Sequence, residues 1–202
     1  MSMEKGQLSI HTENFLPIIK KWLYSDRDIF IRELISNCCD AVAKRRMVGQ
    51  IPDDYQPRVT VRVDKEHRIL SFTDNGVGMT AEEGRKYINQ VAFSGANDFM
   101  EKYKDSGEQI IGHFGLGFYS AFMVADKVRI DTLSCLPDAK AVCWESDGSV
   151  EYTMEETERE EVGTTVTLYL NNESDEFLDG NTVKSTIRKY CSFMPTPIYC
   201  EV

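Results

Sequence analysis

The chain has 202 residues and a mass of 23.1 kDa, which corresponds to one domain of ordinary size or at most two small ones. Its 42% hydrophobic and 28% charged residues are typical of a globular protein and exclude a disordered tail. The 23 Lys and Arg residues against 33 Asp and Glu residues give a net charge of −10. This charge argues against a free-standing nucleic-acid binder, because such proteins usually present a basic surface.

The sequence also predicts a cytosolic protein that does not enter a membrane. The longest uncharged apolar run, Phe114–Ala125, has only 12 residues, and the start of the chain lacks the apolar core of a signal peptide. The six cysteines show no Cys-x-x-Cys spacing and no His nearby. We therefore expect reduced thiols that pack as small apolar residues, and neither a zinc site nor a redox dithiol.

The first half of the chain is predicted to be mostly helical, with one pair of strands. Apolar residues recur at helical spacing in its first two helices, alternation marks the strands, and Thr80 with Glu83 forms a capping box. In chain order, the predicted elements are a helix around Phe15–Leu23, a helix over about Asp28–Val48, strands Arg58–Val63 and Arg68–Thr73, a helix from Thr80 towards Val91, and a short helix after Gly117.

The second half is predicted to be mostly strands, and the acidic stretch Glu155–Glu161 to be a solvated hairpin tip. The predicted elements are strands Val128–Leu133, Ala141–Glu145, Val150–Met154 and Thr164–Leu170, and a closing helix over about Thr182–Phe193. Helices grouped early and strands grouped late predict an α+β fold: a two-layer sandwich of a mostly antiparallel mixed sheet with helices on one face. We expect residues 1–202 to form a single domain.

A narrow polar line runs along the second predicted helix. Glu33, Asn37, Asp40 and Lys44 lie within about 60° of one another around the helix axis, opposite an apolar face formed by Ile31, Leu34, Ile35, Cys38 and Val42. This is the pattern of an ordinary amphipathic helix with a solvated outer face. It also fits a helix that borders a cleft, and nothing in the helix itself shows which of the two its polar line faces.

Two glycine-containing segments could approach a ligand. Asp74–Met79 reads Asp-Asn-Gly-Val-Gly-Met, either a hairpin turn or a carboxylate at a strand end with glycines that let a ligand come close. Gly112–Phe118 has the order Gly-x-x-Gly-x-Gly before a helix, which fits either tight packing or a phosphate-binding loop. Its order matches neither the dinucleotide fingerprint nor a Walker loop.

Taken together, these three segments resemble the nucleotide-binding boxes of the GHKL ATPases. That superfamily includes gyrase B, MutL, sensor histidine kinases and the heat-shock-protein-90 chaperones. The phrases Phe30–Asn37 and Gly115–Phe122 look specifically like the chaperones, as do Ser94-Gly95 and Gly163-Thr164-Thr165. The resemblance runs from about Gly6 to the end of the chain and implies an ATP-binding, ATP-hydrolysing domain of a chaperone that assists protein folding.

The resemblance also implies roles for particular residues. Asp74 would accept a hydrogen bond from the adenine amino group, with Thr165 in support through water, while Gly78 and Met79 pack against the base. Asn37 would contribute a ligand to Mg²⁺, and Glu33 would be the general base for the attacking water. The remaining nucleotide contacts would come from Asp40, Ala41, Ser94, Gly95, Gly115, Leu116, Gly117 and Phe118.

Further expectations concern the lid and the partners. Residues 94–115 would form a mobile lid over the nucleotide. Family members continue into a middle domain, which supplies an Arg to the γ-phosphate, and a dimerisation domain; neither is in this sequence. Client proteins, the middle domain and a homodimer would be the partners. Phe93 departs from the pattern, since many relatives have a Lys there, and the pocket side of the helix Gly84–Asn89 departs from it too.

Two alternatives stay open from the sequence. One is another GHKL module of the MutL or gyrase B type. The other is a nucleotide-gated switch with negligible turnover, which Glu33 disfavours because a pure switch needs no carboxylate to activate water.

Overall fold

The structure, a computed structural model, describes residues 3–7, 27–49, 51–87, 120–149 and 151–202. The strands in these ranges form one eight-stranded sheet in the order β1-β6-β5-β4-β7-β3-β2-β8. All neighbouring strands pair antiparallel except β2 and β8, which are parallel. The strands are β1 (Glu4–Gln7), β2 (Val59–Asp64), β3 (Ile69–Asp74), β4 (Ala125–Leu133), β5 (Val142–Ser146), β6 (Glu151–Glu156), β7 (Gly163–Leu170) and β8 (Ile198–Glu201).

Helices accompany this sheet, so the fold is α+β with a mostly antiparallel mixed sheet, as predicted. The α-helices of the described ranges are α1 (Ile29–Val48), α2 (residues 81–87) and α3 (Gly180–Cys191), and short 3-10 helices cover Ala121–Met123 and Asp175–Leu178. Within the described ranges, no helix is both long and apolar enough to cross a membrane.

The core lies between α1 and one face of the sheet. The apolar face predicted for α1 is buried at each of its positions, and strand side chains that point to the same side, such as Val61 and Phe72, are completely buried. Phe30 packs edge-on against Phe177 at a ring-centroid distance of 4.9 Å and against Phe72 at 6.4 Å. Burying large aromatic rings in this way contributes much of a core's stability. The packing of Phe30 therefore holds α1 against the sheet.

Local sequence signals located most elements to within two or three residues. The capping box is present: Thr80 N–H donates to Glu83 Oε2 at 2.8 Å, and Glu83 N–H donates to Thr80 Oγ1 at 3.2 Å. The helix α1 ends at Val48 and is capped by Gly49, whose φ of +77° favours glycine at a helix C-terminus.

The prediction for the acidic stretch Glu155–Glu161 is wrong. A hairpin would join neighbouring strands, but β6 and β7 are separated in the sheet by β5 and β4. Residues 157–162 therefore form a crossover connection. The two edge strands β1 and β8 were not predicted, because their four-residue lengths give little periodicity.

Several predictions concern residues outside the described ranges. These are the helix around Phe15–Leu23, the lid at 94–115 with Ser94 and Gly95, the glycine loop Gly112–Phe118 with Gly115, Leu116, Gly117 and Phe118, and the position of Phe93.

Candidate functional site

A cavity of about 210 Å³ is bordered by three of the four residues in the polar line of α1, so this part of the helix faces a cleft. Side chains from α1, from the segment after β3, from α2 and from strands β4 and β7 surround this cavity. The lining includes Asn37, Asp40, Ala41 and Lys44 of α1, then Asp74, Val77, Gly78, Met79 and Tyr87, and finally Ile130, Thr164 and Val166.

Asp74 is the acidic group at the base of the cavity. It is the last residue of β3 and only 4% exposed. Its Oδ1 accepts a hydrogen bond from the Gly76 N–H at 2.8 Å, and the Cys38 thiol donates another to the carboxylate. Burial raises the pKa of Asp74 to about 6, although these hydrogen bonds and the charge of Arg159 act in the opposite direction. The carboxylate can therefore still accept a hydrogen bond from a ligand.

The segment after Asp74 is packed so closely that two of its positions require glycine. A Cβ at Gly76 would lie 2.4 Å from the Ala41 carbonyl carbon, where the Val77 N–H donates to the Ala41 oxygen at 2.9 Å. Gly78 has φ +64°, and a Cβ there would lie 1.9 Å from the Leu133 oxygen. These contacts join the segment to α1 on one side and to the end of β4 on the other.

Asn75 anchors the segment from behind. Its carbonyl accepts hydrogen bonds from Arg45 Nη1 at 2.8 Å and from the Tyr55 hydroxyl at 2.9 Å. The Arg45 guanidinium also lies over the Tyr55 ring, 4.6 Å from its centroid. Asn75 Oδ1 accepts from the Arg58 N–H at 2.9 Å. The backbone beside Asp74 is therefore held by several independent contacts.

The structure corrects the prediction for Thr165. Asp74 pairs with Thr164 across β3 and β7, and both face α1, whereas Thr165 pairs with Thr73 on the other face. Thr164 lines the cavity, and its Oγ1 lies 2.9 Å from Oγ1 of Thr132. The error is one residue of register, which moves a strand side chain to the opposite face.

Thr132 joins this hydroxyl pair to the glycine segment. Its Oγ1 accepts a hydrogen bond from the Met79 N–H at 2.9 Å. Met79 and Gly78 both line the cavity.

Glu33 does not line the cavity. It lies one helical turn before Asn37, and its side chain is 12% exposed. Its Oε1 accepts hydrogen bonds from Arg32 Nη2 at 2.7 Å and Nε at 3.2 Å. The carboxylate is therefore held beside the cleft by its neighbour.

The sequence reasoning missed Cys38, Tyr87 and Thr132 as parts of the site. Cys38 was grouped with the apolar face of α1, although its thiol reaches Asp74. Tyr87 places a partly buried phenol at the cavity wall, and burial raises its pKa to about 12. The described ranges contain no cluster of three or more His, Cys, Asp or Glu side chains that could hold a metal ion.

The fold and the cavity define a class. The site combines a carboxylate at a strand end, a glycine segment packed on a helix, and an amide on that helix. These are the features by which the sequence resembles the GHKL ATPases. The sequence model of the family described as "Histidine kinase-, DNA gyrase B-, and HSP90-like ATPase" matches residues 25–173. The chain therefore belongs to this ATPase family.

Curated relatives specify the similarity further. The chain is 50% identical over 198 residues to the chaperone protein HtpG of Bacteroides fragilis, which covers 97% of this chain and 29% of the relative. It is 47% identical to HtpG of Porphyromonas gingivalis and 39% identical to HtpG of Desulfitobacterium hafniense, with 96% and 98% of this chain covered. In these comparisons it spans 29% and 34% of the relatives' lengths.

Proposed function

We propose that the cavity binds the base of ATP and ADP, and that the chain is the nucleotide-hydrolysing part of a chaperone. The main support for this proposal is the buried Asp74 carboxylate, which lies at the base of the cavity beside the Thr164 hydroxyl. The adenine amino group is a hydrogen-bond donor, whereas guanine carries an acceptor oxygen at the corresponding edge. A carboxylate there favours adenine.

The cavity is large enough for the base of the nucleotide but not for the whole nucleotide. Pockets for whole drug-sized ligands have volumes of about 300–1,000 Å³, and this one has about 210 Å³. In the proposal, the phosphates extend towards Asn37 and towards the backbone of Gly115, Leu116, Gly117 and Phe118. Ser94 and Gly95 belong to the proposed lid at 94–115.

Asn37 is the proposed protein ligand for Mg²⁺. Its side chain is exposed at the cavity wall and carries the amide oxygen that suits this hard cation. Bound Mg²⁺ would neutralise phosphate charge, which matters in a chain of net charge −10. One or two protein ligands suffice for such a site, since phosphates and water supply the others.

Glu33 is the proposed general base. Its carboxylate lies one turn from Asn37 and is held by Arg32. To take a proton from the attacking water, it has to come within hydrogen-bond distance of that water, and exchange of its Arg32 contacts would allow this.

A second candidate is a nucleotide-gated switch with negligible turnover in this chain. The observation in its favour is that Glu33 is paired with Arg32 and does not line the cavity. A longer protein would then be required to bring Glu33 into use. We also propose that the full-length protein supplies a middle-domain Arg and forms a homodimer, because the curated relatives are about three times as long as the chain.

The cellular role is inferred from the same relatives. We infer that client polypeptides are the partners of the full-length protein and that it works in the cytoplasm. In support, the six cysteines are free thiols, as expected in a reducing compartment.

Calorimetric titration with Mg-ADP and Mg-GDP tests the base-binding proposal. We expect Mg-ADP to bind and Mg-GDP to bind at least about 100-fold more weakly, because its oxygen would face the Asp74 carboxylate. Repeating the ADP titration with excess EDTA tests the contribution of Mg²⁺. Equal affinities for the two nucleotides would contradict the role of Asp74.

A further inference from the structure

Arg159 lies in the acidic crossover 157–162 and is half-buried against the sheet. Its Nη1 donates hydrogen bonds to the Asp131 carbonyl at 3.2 Å and to Thr165 Oγ1 at 2.9 Å. Its Nε donates to the Glu161 carbonyl at 2.8 Å. One guanidinium group therefore ties the crossover to both β4 and β7.

The contacts of Arg159 continue to the strand that ends at Asp74. Thr165 Oγ1 lies 3.0 Å from Thr73 Oγ1, so Arg159 is linked through Thr165 to β3. Two adjacent rows of paired residues cross β4, β7 and β3 at this level, one on each face of the sheet. They are Asp131, Thr165 and Thr73 on the face away from α1, and Thr132, Thr164 and Asp74 on the face towards α1.

Arg159 and Asp74 also interact electrostatically across the sheet. The charge of Arg159 lowers the pKa of Asp74, against the larger effect of burial. In return, Asp74 raises the pKa of Arg159, which burial lowers. A buried carboxylate needs such compensation to remain charged.

We propose that Arg159 is a positioning residue for adenine recognition: from the opposite face of the sheet it holds the row of residues behind Asp74 and supplies the positive charge that keeps this carboxylate ionised. The inference rests on the proposed function, because adenine binding is the event that needs an ionised Asp74. In a protonated carboxyl group one oxygen is a hydrogen-bond donor, so the group accepts a hydrogen bond from the adenine amino group less well than a carboxylate does.

Four other titratable groups around Asp74 carry no charge near pH 6. The thiols of Cys38 and Cys39 and the phenols of Tyr55 and Tyr87 all have pKa values raised by burial, so they stay neutral near pH 6. Further charged groups are Asp40 and Lys44, which line the cavity, and Arg45, which donates to the Asn75 carbonyl. These last three are unchanged in the variants below.

The first experiment follows the ionisation of Asp74 directly. Carboxyl ¹³C NMR of the chain labelled in aspartate, with the resonance assigned through Asp74→Asn, gives the midpoint of its titration. In Arg159→Gln we expect that midpoint to rise by about half to one pH unit. Arg159→Lys keeps the charge and should stay within a few tenths of the parent.

Arg129→Gln is the matched control. Arg129 lies on the same face of the sheet and is paired with the Asp131 carboxylate, Nε to Oδ2 at 2.8 Å. The Arg129→Gln substitution removes the same charge from the same face of the sheet, and Arg129 is not among the main influences on the pKa of Asp74. Its midpoint should match that of the parent, and thermal melting of each variant verifies that the fold is intact.

The second experiment measures ADP affinity at pH 6.5 and pH 8 by calorimetry. Arg159→Gln should bind about 1.5- to 3-fold more weakly than the parent at pH 6.5 and approach it at pH 8, whereas Arg129→Gln should follow the parent at both. An unmoved midpoint in Arg159→Gln, or an equal shift in Arg129→Gln, would overturn the role of Arg159. Absence of ADP binding to the parent chain would instead refute the proposed function, while the NMR midpoint would still report whether Arg159 acts on Asp74.

Discussion

Asp74 and Thr164 lie directly opposite each other on β3 and β7, and both side chains face α1. This pairing brings the buried carboxylate and a hydroxyl to the same cavity. Thr164 Oγ1 is in turn 2.9 Å from Thr132 Oγ1, which accepts the Met79 N–H. A continuous polar chain therefore runs from the cavity wall to the glycine segment.

Replacing Asp74 with Asn should abolish ADP binding. The amide can turn a donor towards the adenine amino group, and an unmatched buried donor costs about 1–3 kcal/mol in addition to the lost hydrogen bond. Calorimetry on Asp74→Asn and on the surface control Asp64→Asn measures the effect. Unchanged ADP affinity in Asp74→Asn would remove Asp74 from the base-binding role.

The same substitution should stabilise the chain at neutral pH. The pKa of Asp74 is about 6 in the folded state, above its ordinary value of 3.8, so folding favours the protonated carboxyl. Stability contributed by this group is therefore greatest below pH 4 and falls as pH rises through 6, by about 3 kcal/mol in all. Asp74→Asn should exceed the parent in stability at pH 7 by up to that amount, and the difference should shrink towards pH 4.

Asp64 provides a control of opposite sign for that measurement. Hydrogen bonds from His67 lower the pKa of its exposed carboxyl, so its contribution is present at pH 7 and declines as pH falls through the lowered pKa. Urea unfolding of both variants at pH 3.5 and pH 7 gives the comparison. A stability difference for Asp74→Asn that is the same at both pH values would contradict the assignment.

Adding a methyl group at Gly78 should disrupt the cavity. Gly78→Ala places a Cβ 1.9 Å from the Leu133 oxygen at a φ of +64°, so the loss should be at least about 2 kcal/mol. Gly49→Ala is the matched control, because Gly49 has φ +77° with nothing within 4 Å of the added Cβ. It should lose only about 1 kcal/mol, for the strain in φ. Equal losses in urea unfolding would mean that the close contact at Gly78 is unimportant.

Thr164→Val should weaken ADP binding by about 5- to 10-fold. The substitution keeps the shape of the side chain and removes the hydroxyl beside Asp74, a loss of about 1 kcal/mol. Thr167→Val on the same strand is the control, because Thr167 faces the opposite side of the sheet. If Thr167→Val weakened binding as much as Thr164→Val, the observed strand register would not explain the site.

Glu33 and Asn37 should differ in the kind of function that they lose. In the full-length protein, Glu33→Ala should keep ATP affinity within a few fold and lose hydrolysis by about 10²-fold or more. Asn37→Ala should lose nucleotide binding, because a metal ligand acts in the ground state and the transition state alike. ATP affinity and single-turnover hydrolysis are the two measurements. Hydrolysis at the parent rate in Glu33→Ala would favour the switch, and equal loss of binding in both variants would show that the two residues share one role.

Elements whose signals are local could be predicted from the sequence alone. The apolar face of α1, the reciprocal bonds of Thr80 and Glu83, and the alternation of β2 and β3 each depend on residues a few positions apart. The candidate site was predictable where it follows motifs of this kind, as at Asn37 and at Asp74–Met79. The resemblance then indicated which of these motifs belong together.

The side chains that meet across strands could not be predicted in this way, because their meeting depends on how the sheet is assembled. Strand side chains alternate between faces, so the choice between Thr164 and Thr165 depends on the register of β7 against β3, which no local signal encodes. The acidic crossover looked like a hairpin tip because its composition says nothing about which strands it joins. In the folded chain it passes from β6 to β7 and brings Arg159 behind Asp74. Non-local pairing sets these relationships, and they appear only when the whole sheet is assembled.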